Sequence, residues 1–115
     1  MDRNQLGREG ETLAAEFLVR KGYRELARNL RFRQGEIDVL MEDGETVVLV
    51  EVKAQTSAVL IDPVYKISPA KRRKLGLLAA LISAKYPERN VRIDAVTLYW
   101  NQSGSPIITH YENIL

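Results

Sequence analysis

The sequence predicts an α/β fold in which a mixed β-sheet is flanked by helices, in the order α-β-β-β-α-β-β. Three observations carry that expectation. Apolar residues recur at helical spacing in two separate segments, around residues 6–18 and 75–82. A run of alternating residues turns back on itself at Asp43-Gly44, and two further strand-like runs follow the second helical segment.

Taken in order, Leu6, Gly10, Leu13, Ala14, Phe17 and Leu18 form the first helical stripe, which Gly22 ends. Glu11 borders that stripe, where its side chain can reach along the edge of a covered sheet. Tyr23 to Phe32 reads as the first strand. Ile37, Val39 and Met41 alternate with Glu36, Asp38 and Leu40, and Asp-Gly is the strongest short hairpin signal. With Asp43-Gly44 as a two-residue turn, Glu42 pairs with Glu45, Glu36 lies opposite Glu51, and Asp38 lies opposite Leu49. Glu36, Asp38, Glu51 and Lys53 then share one face, and Ile37, Val39, Val48, Val50 and Val52 line the other. Thr56 to Ile67 reads as a loop with room for a short strand. Ser68 is suited to cap a helix and Pro69 to its first position. That helix runs to about Tyr86 before Pro87, with Leu75, Leu78, Ala79 and Ile82 inward. Val91 to Trp100 is a strand, a turn follows at Gln102-Ser103-Gly104-Ser105, and Pro106 to Tyr111 is an edge strand.

A chain of 115 residues suits one domain, 1–115, with a core of its own. It has no cysteine, which excludes disulfides, thiolate zinc sites and thiol catalysis, and its single histidine excludes a histidine-rich metal site. Carboxylate and lysine chemistry remain. A net charge of +2 defines no partner, although a pI near 9.0 leaves nucleic acid open. No signal peptide is evident and the longest apolar run, residues 75–84, is far short of a membrane span. A cytoplasmic location without a membrane partner is expected.

The hairpin is where chemistry concentrates. Like charges across a hairpin destabilise it, and buried unpaired charge is costly, so its acids need a cationic partner. A divalent ion is an economical one. The plainer reading is a solvated sheet face with a Glu51–Lys53 pair, but Val47 and Leu49 share that face and make it only partly polar. Lys71, Arg72, Arg73 and Lys74 occupy the first turns of the second helix, where the macrodipole disfavours cations. Contact with DNA phosphates supplies a reason for them, against the alternative of a solvated charged face. Arg28, Arg31 and Arg33 fit the charges that protect an edge strand. His110 is expected to be structural or exposed, and Tyr99-Trp100 to be packing.

Asp38, twelve intervening residues and Glu51-x-Lys53 resemble the PD-(D/E)xK nuclease signature, in which carboxylates hold Mg²⁺ and a lysine assists the attacking water. The resemblance extends along the chain. Leu6-Gly7-Arg8-Glu9-Gly10-Glu11, Lys21-Gly22-Tyr23, Ala27-Arg28-Asn29-Leu30-Arg31, Gly35-Glu36-Ile37-Asp38, Val50-Glu51-Val52-Lys53, Lys71-Arg72-Arg73 and Arg92-Ile93-Asp94 occur in an order similar to the YraN family of small bacterial endonuclease-like proteins. That resemblance implies a restriction-endonuclease-like fold related to Holliday-junction resolvases. It assigns Glu11, Asp38 and Glu51 to a metal, Mg²⁺ with Mn²⁺ as a substitute, and Lys53 to catalysis, with Glu36 in the same motif. Gln55 stands where the family usually has a basic residue; related nucleases also use glutamine there, which places Gln55 in the catalytic set. Leu30 replaces an aromatic residue of the family. The implied function is a Mg²⁺-dependent DNA endonuclease acting on branched or structured DNA, and the resemblance to resolvases implies a homodimer that cuts two strands. The alternatives are a non-catalytic module that binds DNA or a repair protein, and a metal-free scaffold whose acids recognise a basic protein.

Overall fold

Asp2 opens the first helix, α1 (Arg3–Arg20), through reciprocal capping. Its carboxylate accepts the Gln5 N–H at 2.8 Å, and the Gln5 side chain accepts the Asp2 N–H at 3.0 Å. Gly22, at φ +100°, turns the chain into β1 (Arg24–Phe32), which is followed by β2 (Gly35–Asp43) and β3 (Thr46–Gln55). Ser68 caps α2 (Pro69–Lys85), and β4 (Val91–Trp100) and β5 (Pro106–Tyr111) complete the order predicted from the sequence. This computed structural model describes residues 2–56, 67–100 and 104–115. The short strand allowed between Thr56 and Ile67, and the Gln102-Ser103 half of the expected turn, lie outside the described residues.

The five strands lie in the order β1-β2-β3-β4-β5. All neighbours are antiparallel except β3 and β4, which run parallel from Val47↔Val91 to Gln55↔Tyr99. A parallel pair needs a crossover, and α2 falls in that connection. One core packs Ala14, Ala15 and Leu18 of α1 on Val39, Met41, Val48, Val50, Val96 and Leu98. The other packs Leu75, Leu78 and Ile82 of α2 on Ile37, Leu40, Val47, Leu49, Ile93 and Ala95. Burial on both faces explains the unbroken apolar run Val47–Val50. Among the described residues no helix is long and apolar enough to cross a membrane.

Two expectations for the hairpin need correction. Asp43 pairs with Thr46 and Leu40 with Leu49, so the turn is Gly44-Glu45 and Asp38 does not face Leu49. Gly44 takes φ +58° at the first central position, the place a II′-type turn reserves for glycine. A slip of two residues preserves the faces, because the side-chain period is two. The faces change for a different reason. Ile37 packs on the α2 side and Val39 on the α1 side, so the alternation of β2 turns over at Asp38. Ile37 therefore does not line the same face as Val39, while Asp38 stays near enough to Glu51 to feel its charge.

A candidate metal centre and its charged surroundings

The backbone of α1 reaches the sheet closely at one point. A β-carbon on Gly10 would lie 2.9 Å from Ala54 Cβ, so only glycine allows this approach. The next residue, Glu11, is thereby brought over the open end of the β1–β2–β3 ladder. There the carboxylate oxygens of Glu11, Glu36 and Asp38 lie within 4.8 Å of one another.

Asn29 holds two of these acids. It adopts φ +54°, a left-handed conformation that asparagine tolerates better than most residues. Its Nδ2 donates to Glu11 Oε1 at 2.9 Å and to Glu36 Oε1 at 3.1 Å. Arg31 Nε stands 3.5 Å from Glu36 Oε2 on the exposed side. Asp38 is held differently: the Val52 N–H donates to its Oδ2 at 3.0 Å, just beyond the Val39↔Val50 pair where the β2–β3 ladder stops. Burial pushes the Asp38 carboxyl up to about 7, the charges of Glu51, Glu11 and Glu36 push the same way, and the Val52 N–H opposes them. Crowded carboxylates of this kind form an all-oxygen donor set, which matches the preference of hard divalent cations.

The structure thus brings Glu11 and Asp38 together, as expected of metal ligands, and adds Glu36 to them. Glu51 is near enough for its charge to raise the proton affinity of Asp38, yet its own ion pair is with Lys71 Nζ, at 2.5 Å. Lys53 is exposed and Gln55 partly buried; with Asp2, Arg3, Leu6 and Gly7 they line a groove of about 670 Å³ between the start of α1 and the end of β3. The four cations of α2 fan around the helix. Lys71 reaches Glu51, the aliphatic stem of Lys74 lies over Gly35, and Arg72 and Arg73 are exposed without an ion pair among the described residues.

A second charged cluster was not read from the sequence. Asp94 is 0% exposed. It accepts from Arg92 Nε at 3.0 Å, from the Asn113 N–H at 3.0 Å and from His110 Nε2 at 2.8 Å. Lys21 Nζ donates to His110 Nδ1 at 2.7 Å, which leaves the imidazole proton on Nε2, facing Asp94. Arg92 Nη2 also reaches Tyr23 Oη at 2.5 Å and Asp43 Oδ2 at 3.1 Å. Burial pushes the Tyr23 hydroxyl up to about 12, against the opposing pull of Arg92. This network ties the chain after β5 and the start of β1 to β4, at the turn end of the hairpin. His110 is accordingly structural. The available signal was Asp94 itself, a lone acid inside an apolar strand, which must find partners when buried.

Comparison with known proteins agrees with the motif order. The model of the family described as "Uncharacterised protein family UPF0102" matches residues 10–98. A UPF0102 protein of Clavibacter michiganensis subsp. michiganensis is 41% identical over 111 residues, covering 94% of each chain. One from Mycolicibacterium vanbaalenii is 39% identical over 114 residues, covering 97% of this chain and 94% of its own. Among solved structures, Pyrococcus furiosus SfsA in complex with Ca²⁺ aligns with a TM-score of 0.41 and 18% identity, over 96% of this chain and 64% of that one. The matched span contains Glu11, Asp38, Glu51 and Lys53, and the chain belongs to the UPF0102 family, the YraN family that its motifs resemble.

Proposed function

We propose that this protein is a divalent-metal-dependent endonuclease that hydrolyses phosphodiester bonds of DNA, with branched or otherwise structured DNA as its substrate class. The observation that carries the reading is Asp38, a carboxyl surrounded by Glu11, Glu36 and Glu51 at the end of a broken ladder. Glu11 and Asp38 would hold Mg²⁺ or Mn²⁺, with Glu36 and Glu51 beside them. The ion would supply Lewis-acid activation of water and phosphate. In the hydrolysis, the water oxygen bonds to phosphorus, one P–O ester bond breaks, and the leaving oxygen takes a proton. Lys53 follows Glu51 by two positions on β3, and its ammonium would offset the charge that develops on the phosphate. Gln55, two further on, offers an amide N–H to a phosphate oxygen. Arg72 and Arg73, exposed and without an ion pair among the described residues, would meet the DNA backbone.

The test is a cleavage panel of linear, nicked, flapped and four-way DNA with Mg²⁺ or Mn²⁺, using wild type and Lys53→Ala. Wild type should cut at least one structured substrate. Lys53→Ala should lose cleavage while retaining metal binding and most DNA affinity, the pattern of an interaction made mainly in the transition state. Tight binding of branched DNA with no cleavage by wild type would replace the enzyme with a binding module.

A further inference from the structure

We propose that Lys71 is the counter-ion of the metal-free site, and that it couples metal binding to phosphate binding by exchanging partners. The inference rests on the metal-site reading above. Lys71 Nζ lies 2.5 Å from Glu51 Oε1, with the two side chains 44% and 25% exposed. Its main chain is fixed, because the Lys71 N–H donates to Ser68 Oγ at 3.1 Å in the cap of α2. A cation in the first turn of a helix meets the positive end of the macrodipole. Within the first turn of α2 no acid favours Lys71; Glu51, from the opposing strand, offsets the cost.

A divalent ion drawn to Glu11, Glu36 and Asp38 enters the field of Glu51 as well. It repels the Lys71 ammonium, and any Glu51 lone pair given to the ion is withdrawn from the lysine. The cap holds its backbone, so the ammonium can leave Glu51 only by a swing of its own side chain. It is left without an anion beside Arg72 and Arg73, which have no ion pair among the described residues. A substrate phosphate is the anion that suits this position. Linkage makes the effect reciprocal: a phosphate that draws Lys71 away leaves Glu51 open to the metal.

The experiment is a calorimetric titration of the full chain with Ca²⁺ at constant ionic strength, alone and with a short linear DNA duplex. Wild type is compared with Lys71→Gln, Lys71→Arg and Lys85→Gln. Because an exposed ion pair is weak, Lys71→Gln should tighten Ca²⁺ binding only about two- to five-fold. The duplex should tighten Ca²⁺ binding to wild type by a similar factor and leave Lys71→Gln unchanged. Lys71→Arg, which keeps the pair, and Lys85→Gln, which removes the same charge from the far end of α2, should both follow wild type. Equal Ca²⁺ affinity in wild type and Lys71→Gln, an equal gain in Lys85→Gln, or a duplex effect that survives Lys71→Gln would overturn the inference and leave the metal site standing. Wild type that binds no Ca²⁺ would refute the site itself, and the inference with it.

Discussion

Asp38→Asn should stabilise the metal-free protein at neutral and alkaline pH. The Asp38 carboxyl is pushed from 3.8 up to about 7, first by burial and then by the charge of Glu51. Between those values the folded chain keeps a proton that the unfolded chain has released. Unfolding then releases a proton, so stability falls as pH rises. The gap corresponds to about 4 kcal/mol of lost stability, fully expressed above pH 7 and absent below pH 4. The asparagine Oδ1 can still accept the Val52 N–H, and its NH₂ group can donate to the acids around it. In a chain of this length, about 4 kcal/mol is roughly 15 °C in Tm. Thermal unfolding in EDTA, scanned from about pH 4 to about pH 8, should show the two proteins converging at the acid end and the variant ahead at the alkaline end. Parallel curves across the range would refute the crowded, desolvated carboxyl. Added divalent cation should narrow the gap by raising wild type more than Asp38→Asn.

Gly10→Ala sets a β-carbon against Ala54 Cβ at 2.9 Å. It should cost about 1–3 kcal/mol in urea unfolding, and should weaken metal affinity by displacing Glu11. Asp94→Ala leaves Arg92 without its buried partner and should cost about 3–5 kcal/mol, measured by denaturation, without changing metal affinity. Replacing Arg72 and Arg73 by alanine should weaken DNA binding regardless of sequence and reduce its salt slope by roughly one per lost contact; an unchanged slope would show that they make no phosphate contact.

Much of this was legible in the sequence because its signals are local. Ser68-Pro69 marks the start of α2 to the residue, and the apolar alternation of 91–100 marks both ends of β4. The hairpin turn was displaced because Asp43-Gly44 also suits a turn in which glycine comes first, as it does here. The site was only partly legible because it depends on a break in the pattern. Alternation places Asp38 and Glu51 on one face, whereas β2 turns over at Asp38 and sends Glu36 and Asp38 toward Glu11. Nothing in the order of residues announces that the Val52 N–H will bond a side chain instead of the ladder. The Lys71–Glu51 pair was hidden for the same reason, since it joins residues on α2 and β3 that only the assembled fold brings together.

The central claim is that these acids form a divalent metal centre, and Mn²⁺ titration followed by calorimetry tests it most directly. Wild type and Lys53→Ala should bind Mn²⁺ alike, Glu11→Gln should bind it more weakly, and Asp38→Ala should not bind it. Equal Mn²⁺ affinity in wild type and Asp38→Ala would contradict the account.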